Sequence, residues 1–138
     1  MSRLRGLLDR VKSMVVTEWC EYGVPPQLLE GLAAHFAEEV VIALELSRLL
    51  GCDAGRAILA LAARELGYGQ GGSQGGGVEV SVAELAHELA LALQAKRYVR
   101  MGFGAEEAVR THAEAAARAA SRLASEEVAR LVHELLTS

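Results

Sequence analysis

Three features of the sequence predict an all-α protein, a six-helix bundle in two three-helix arms (1–66 and 78–138) separated by a glycine-rich loop. Apolar residues recur at three- and four-residue spacing through most of the chain. Helix stop and start signals punctuate that pattern at Gly23, Gly51, Asp53, Gly67, Ser81 and Ser125. Between the arms, residues 67–77 read GYGQGGSQGGG and hold half of the 14 glycines. The backbone entropy of such a tract opposes both helix and strand, so it reads as a flexible linker. The full 138 residues suit one helical domain, 1–138.

The first helix is expected over residues 2–22, with Leu4, Leu7, Leu8, Val11, Val15 and Trp19 on one stripe and Gly23 as its stop. The second is expected over 26–50, with Leu29, Leu32, Phe36 and Val40 facing inward. From Val40 to Leu46 it is apolar on nearly every face, and such a helix is surrounded by protein. This helix is therefore expected at the centre of the bundle or at the seam of a dimer. The interface residues would be Val40, Val41, Ile42, Leu44 and Leu46. Asp53 caps a third helix over 54–66. Val78–Val80 reads as extended, and the capping box Ser81-Val82-Ala83-Glu84 opens a fourth helix running to Met101. The fifth covers 105–124, with Ala108, Val109, His112, Ala116, Ala119 and Leu123 aligned. Ser125 caps the sixth, 126–137, where Glu126 and Glu127 suit the positive end of the helix dipole.

Composition narrows the function classes. Hydrophobic residues make up 51% of the chain but aromatics only 4%, so the core is built from Leu, Val and Ala. Small side chains bury little area each. With a mean hydropathy of +0.21, this favours a homo-oligomer or a protein partner that completes the core. The net charge of −4 lacks the electrostatic footprint of a nucleic-acid binder. Arginine supplies every basic residue except Lys12 and Lys96, and asparagine is absent, as expected of a GC-rich genome or a thermophile. Cys20 and Cys52 lie in no CxxC pair and are expected as buried, reduced thiols. The N-terminal residues lack the apolar core of a signal peptide, and the longest apolar run, Ala57–Ala63, is far too short to cross a bilayer. A cytoplasmic protein without membrane contact is expected.

Several motif-like segments have simpler structural explanations. Gly67–Gly72 fits GxGxxG, but a phosphate-binding loop needs a strand before it and a helix after it, and neither is expected here. Residues 62–68 fit the start of a helix-turn-helix whose recognition helix would fall in the glycine tract. Met101-Gly102-Phe103 resembles the MGF loop of ubiquitin-associated domains. A left-handed glycine cap with Phe103 packed back on the preceding helix explains the same residues.

Each histidine has an acidic neighbour in sequence. Glu84-Leu85-Ala86-His87 has the ExxH spacing of di-iron carboxylate bundles, which require two such motifs and two further Glu. Only one is present, off the apolar stripe, and His87 is expected on a solvated face. His112 lies on the apolar stripe of its helix and is expected as a buried, neutral histidine with one hydrogen-bond partner. Lys96, Arg97, Tyr98 and Arg100, with Arg110 across the turn, form the one basic cluster containing an aromatic. They could contact phosphates, or simply complement the end of a helix dipole.

The sequence therefore favours a non-enzymatic interaction or assembly module that self-associates and needs no cofactor. One alternative is a small helical subunit of a nucleic-acid complex using Lys96, Arg97 and Arg100; by fold-class analogy alone, it resembles the small subunits of CRISPR effector complexes. Another is a metal-binding bundle using Glu84, His87 or His112.

Overall fold

The computed structural model describes residues 2–68 and 77–138 and is all-α. Among the described residues, six α-helices follow in order: α1 (Ser2–Ser13), α2 (Leu32–Leu50), α3 (Ala54–Leu66), α4 (Val78–Arg100), α5 (Glu106–Leu123) and α6 (Glu126–Thr137). Short 3-10 turns cover Thr17–Tyr22 and Pro26–Leu28. The glycine tract expected as a linker, and with it most of the GxGxxG segment, lies outside the described residues.

The helices α3 and α6 match their expected bounds, and their caps explain why. The side chain of Asp53 accepts from the Arg56 amide, and that of Ser125 from the Val128 amide. Two expected helices are shorter than their apolar patterns. The first ends at Ser13, where residues 14–16 pair with 30–32 instead. Val16 N–H donates to the Glu30 carbonyl at 2.8 Å and Leu32 N–H to the Met14 carbonyl at 2.9 Å. The second begins at Leu32 after Gly31, because the Pro25-Pro26 segment forms only a 3-10 turn. In the other direction, Val78–Val80 is helical rather than extended. The helix starts after Gly77, and the Ser81–Glu84 capping box lies inside it.

The expected centre is also displaced. Helix α4, not α2, is buried on almost every side, through Val82, Ala83, Leu85, Ala86, Leu89, Ala90, Leu91, Ala92, Ala95 and Tyr98. Its alanines let neighbours approach closely, and α2, α3, α5 and α6 all pack on it. One core cluster draws Ala43 and Leu46 from α2, Leu61 from α3, Leu85 and Leu89 from α4, Ala116 from α5 and Val132 from α6. It joins residues from both sides of the glycine tract. On α2, Leu46 is fully buried and Val40 and Ile42 are half-buried, whereas Val41 is 65% exposed and Leu44 also faces out. A second cluster gathers Trp19, Val24, Leu91, Ala95, Tyr98, Ala105 and Ala108. No helix among the described residues is long and apolar enough to cross a membrane.

The α4–α5 turn has the expected glycine cap. Phe103 N–H donates to the Tyr98 carbonyl and Gly102 N–H to the Val99 carbonyl, both at 3.0 Å, the two bonds of a Schellman motif. Gly102 takes φ +100°, and a Cβ there would meet nothing within 4 Å. The cost of a side chain is then backbone strain alone. Gly102→Ala is expected to destabilise the protein by about 1–2 kcal/mol. Gly104→Ala, also in open space but without a positive φ, should change stability by less than about 0.5 kcal/mol. Urea denaturation of the two variants checks the difference.

Candidate metal centre

The first turn of α2 and the last turn of α3 lie side by side, because the two helices form a hairpin closed at Gly51–Asp53. That places Glu65 beside His35. Glu39, one turn after His35, shares its face. His87, midway along α4, meets them from the opposite side. The result is a cluster of two imidazoles and two carboxylates from three helices. Its inner members are fully desolvated: His35 is 1% exposed and Glu39 0%.

The donor atoms converge closely. His87 Nδ1 lies 2.7 Å from Glu39 Oε2 and 2.8 Å from Glu65 Oε1. His35 Nε2 faces the same two oxygens at 3.2 and 3.6 Å. One ligand atom from each residue lies within 4.8 Å of all the others. A tetrahedral ion with bonds of 2.0–2.1 Å separates its ligands by about 3.4 Å; the two His35 distances lie near that value, and the two His87 distances are hydrogen-bond contacts that an ion would have to part. One imidazole N–H cannot serve two carboxylate oxygens well. The His87 proton goes to Glu39, and Glu65 Oε1 is left without an aligned donor. Glu39 Oε1 and His35 Nδ1 are likewise buried without a hydrogen-bond partner among the described residues. Orphaned buried polar atoms are costly and infrequent in native proteins. Here Glu65 Oε1 belongs to the converging set itself, Glu39 Oε1 is the other oxygen of a converging carboxylate, and His35 Nδ1 lies on the outer edge of its ring.

Electrostatics compensate part of that cost. Burial works against a charged imidazole, but Glu30, Glu39 and Glu65 together overcome it and push His35 up to about 12. Burial opposes the charge on His87 as well, and Glu39 and Glu65 push it up to about 9. Burial would raise Glu65, yet the two imidazoles hold it well below the usual carboxylate range.

A second, separate cluster joins the 3-10 turn over residues 17–22 to α4 and α5. His112 places Nδ1 2.7 Å from Glu88 Oε2 and Nε2 on Glu18 Oε2. Both nitrogens face carboxylates, so the ring is doubly protonated and donates twice. Burial opposes that charge, but the two carboxylates push His112 up to about 9. The expectation of a neutral His112 with one partner is therefore corrected. Glu88 responds reciprocally: burial would raise it, and His112 outweighs burial and lowers it.

Of the residues singled out as metal ligands, only His87 joins the converging set. It is half-buried rather than on a solvated face. Glu84 turns to the surface and binds Arg122 at 2.7 Å, and His112 is held by its two carboxylates. The basic cluster is largely engaged within the fold. Lys96 Nζ donates to the carbonyls of Leu136 and Ser138, and Arg100 also reaches Ser138. Arg97 pairs with Glu38 at 2.8 Å. Tyr98 is buried, with its hydroxyl on the Leu28 carbonyl, so its ring has no open face for a base. Arg110 remains exposed. Cys20 is exposed rather than buried, Cys52 is half-buried, and both are free thiols.

Motif spacing points to His87 alone among the four converging residues, although a signal for His35 and Glu39 lies in the sequence. The buried positions of α2 include Leu32, His35, Glu39, Ala43 and Leu46, a regular helical stripe. The apolar pattern through Leu29, Leu32, Phe36 and Val40 selects a neighbouring face and leaves His35 and Glu39 outside.

These titrations fix a pH profile. The three histidines are raised in the folded chain, so their stabilisation is complete below the ordinary value of about 6.5. It is lost as pH rises through about 9, where His87 and His112 deprotonate. Glu65 and Glu88 are lowered, so their stabilisation holds above about pH 4.3 and is lost as pH falls. Chelator-treated protein should therefore melt highest between about pH 4.5 and 6.5, and progressively lower towards pH 9. Thermal melts across that range check this, and a flat profile from 6.5 to 9 would contradict it.

Comparison of the chain with protein-family models, with curated proteins and with solved structures gives no match, so the functional conclusion rests on the geometry of this centre.

Proposed function

We propose that this protein is a metal-binding helical bundle that holds one divalent transition-metal ion through His35, Glu39, Glu65 and His87. The observation that carries this is the convergence of two imidazole nitrogens and two carboxylate oxygens, from three helices, all within 4.8 Å of one another. Imidazole with carboxylate suits Zn²⁺ or a neighbouring ion such as Co²⁺. Four protein ligands leave no open position, which is the mark of a structural rather than a catalytic site. The ion would tie α2, α3 and α4 together at their buried junction.

Charge balance supports the same function. With both imidazoles protonated, the centre and the adjacent Glu30 carry two positive and three negative charges. A divalent ion bound to neutral imidazoles restores that total without the protons. Binding at neutral pH should therefore release about two protons per ion, because ligands must be deprotonated to coordinate.

Calorimetric titration of chelator-treated protein with Zn²⁺, repeated in buffers of different ionisation heat, tests this. One ion per chain and about two protons released are expected. At a free ion concentration of 100 times Kd the gain is about 2.7 kcal/mol, a rise in Tm on the order of 10 °C. Glu39→Gln and His87→Gln should each abolish stoichiometric binding. Absence of binding at tens of micromolar protein would remove the proposal.

A second reading, self-association through α2, is supported by Val41 and Leu44, which leave apolar surface open on that helix. It is compatible with the metal centre, which lies on the opposite, inward face. Light scattering should then give a mass above the 14.7 kDa of one chain, and Val41→Glu with Leu44→Glu should return it to the monomer. A monomer across the micromolar range would exclude it.

A further inference from the structure

We infer that Glu30 is the positioning residue of the metal centre, fixing the ring of His35 in the ligating tautomer, and that Trp19 holds Glu30 in place for this. The inference rests on the metal-binding function proposed above.

His35 turns its Nε2 edge towards Glu39 and Glu65, so Nε2 is the atom available to an ion. A neutral imidazole that ligates through Nε2 carries its proton on Nδ1. That atom is fully buried and has no hydrogen-bond partner among the described residues. Glu30 Oε1 faces it at 3.5 Å. Closure by about half an ångström would make a normal N–H···O bond. A carboxylate behind a ligating imidazole is how metal centres orient the ring and raise its basicity.

Glu30 is itself fixed from two sides. Its Oε1 accepts from the indole Nε1–H of Trp19 at 3.1 Å. Its backbone carbonyl accepts from Val16, and the next bridge pairs Val15 with Gly31. Trp19 is fully buried, edge-on to Tyr98 at 5.4 Å between ring centres. The chain Trp19–Glu30–His35 thus links the converging donors to the second apolar cluster. Trp19 is the one tryptophan of the protein, so its emission comes from the residue bonded to Glu30. When an ion replaces the Nε2 proton of His35, the charge that Glu30 faces changes, and the hydrogen bond from the indole must readjust.

The test follows Trp19 emission and Zn²⁺ calorimetry in parallel on the full chain. In the parental protein, emission should change in step with occupancy and saturate at one ion. Glu30→Gln keeps an oxygen acceptor but no charge. It should still bind one ion, with affinity lowered about 10–100-fold and the emission change at saturation reduced. Parental affinity and emission response in Glu30→Gln would overturn the inference while leaving the metal centre intact. No binding by the parental protein would remove the metal centre itself, and the inference with it. If Glu30→Gln fails to fold, histidine ring NMR of the Zn²⁺-loaded parental protein decides without a variant. The expected result is His35 protonated at Nδ1 in a hydrogen bond to a carboxylate, and ligation through Nδ1 instead would overturn it.

Discussion

The junction of α2, α3 and α4 depends on one constraint: two carboxylates buried against each other need positive charge between them. Glu39 and Glu65 place their oxygens on the same side of His87 and of His35, with Glu39 fully buried and Glu65 12% exposed, so water screens them poorly. Two protons on the imidazoles can supply that charge, and so can one divalent ion. A helix junction built this way has no apolar substitute held in reserve. Removing one partner leaves a buried charge unpaired, which typically costs 3–5 kcal/mol.

The surrounding fold makes that constraint tolerable. The alanine-rich α4 brings its neighbours close enough for side chains from three helices to meet at one point. The His112 cluster repeats the logic with a different outcome. There, Glu18 and Glu88 approach opposite nitrogens of a single ring, so the imidazolium satisfies both and no convergence of donors remains. One arrangement is complete as a hydrogen-bonded ion cluster, and the other leaves a converging oxygen, Glu65 Oε1, without a hydrogen-bond partner among the described residues. That contrast separates a structural histidine from a candidate ligand set within the same molecule.

Much of the fold was legible because local signals are strong where caps are explicit. Asp53 and Ser125 mark the starts of α3 and α6, and Gly102 marks the end of α4, because each satisfies backbone groups that the helix cannot. The boundaries of α1 and α2 were less legible. The pairing of residues 14–16 with 30–32 is a contact between segments distant in sequence, and no local pattern encodes it. The centrality of α4 was also hidden, since alanines with interspersed Glu and Lys leave only a narrow apolar stripe in the sequence. The candidate site was legible only in part. His87 stood out through its spacing from Glu84, but its partners are Glu39 and Glu65, brought by other helices. His35 and Glu39 occupy a buried helical stripe as polar residues, and apolar periodicity assigns such positions to the surface.

X-ray absorption at the zinc edge of the loaded protein tests the centre most directly, because it reads the ligand atoms around the ion. Coordination by His35, Glu39, Glu65 and His87 predicts a four-coordinate spectrum with only nitrogen and oxygen neighbours at about 2.0–2.1 Å and outer-shell scattering from two imidazoles. A sulfur neighbour near about 2.3 Å would place the ion on a cysteine instead, and a six-oxygen shell without imidazole scattering would place it on surface carboxylates. Either result would contradict a buried histidine–carboxylate centre.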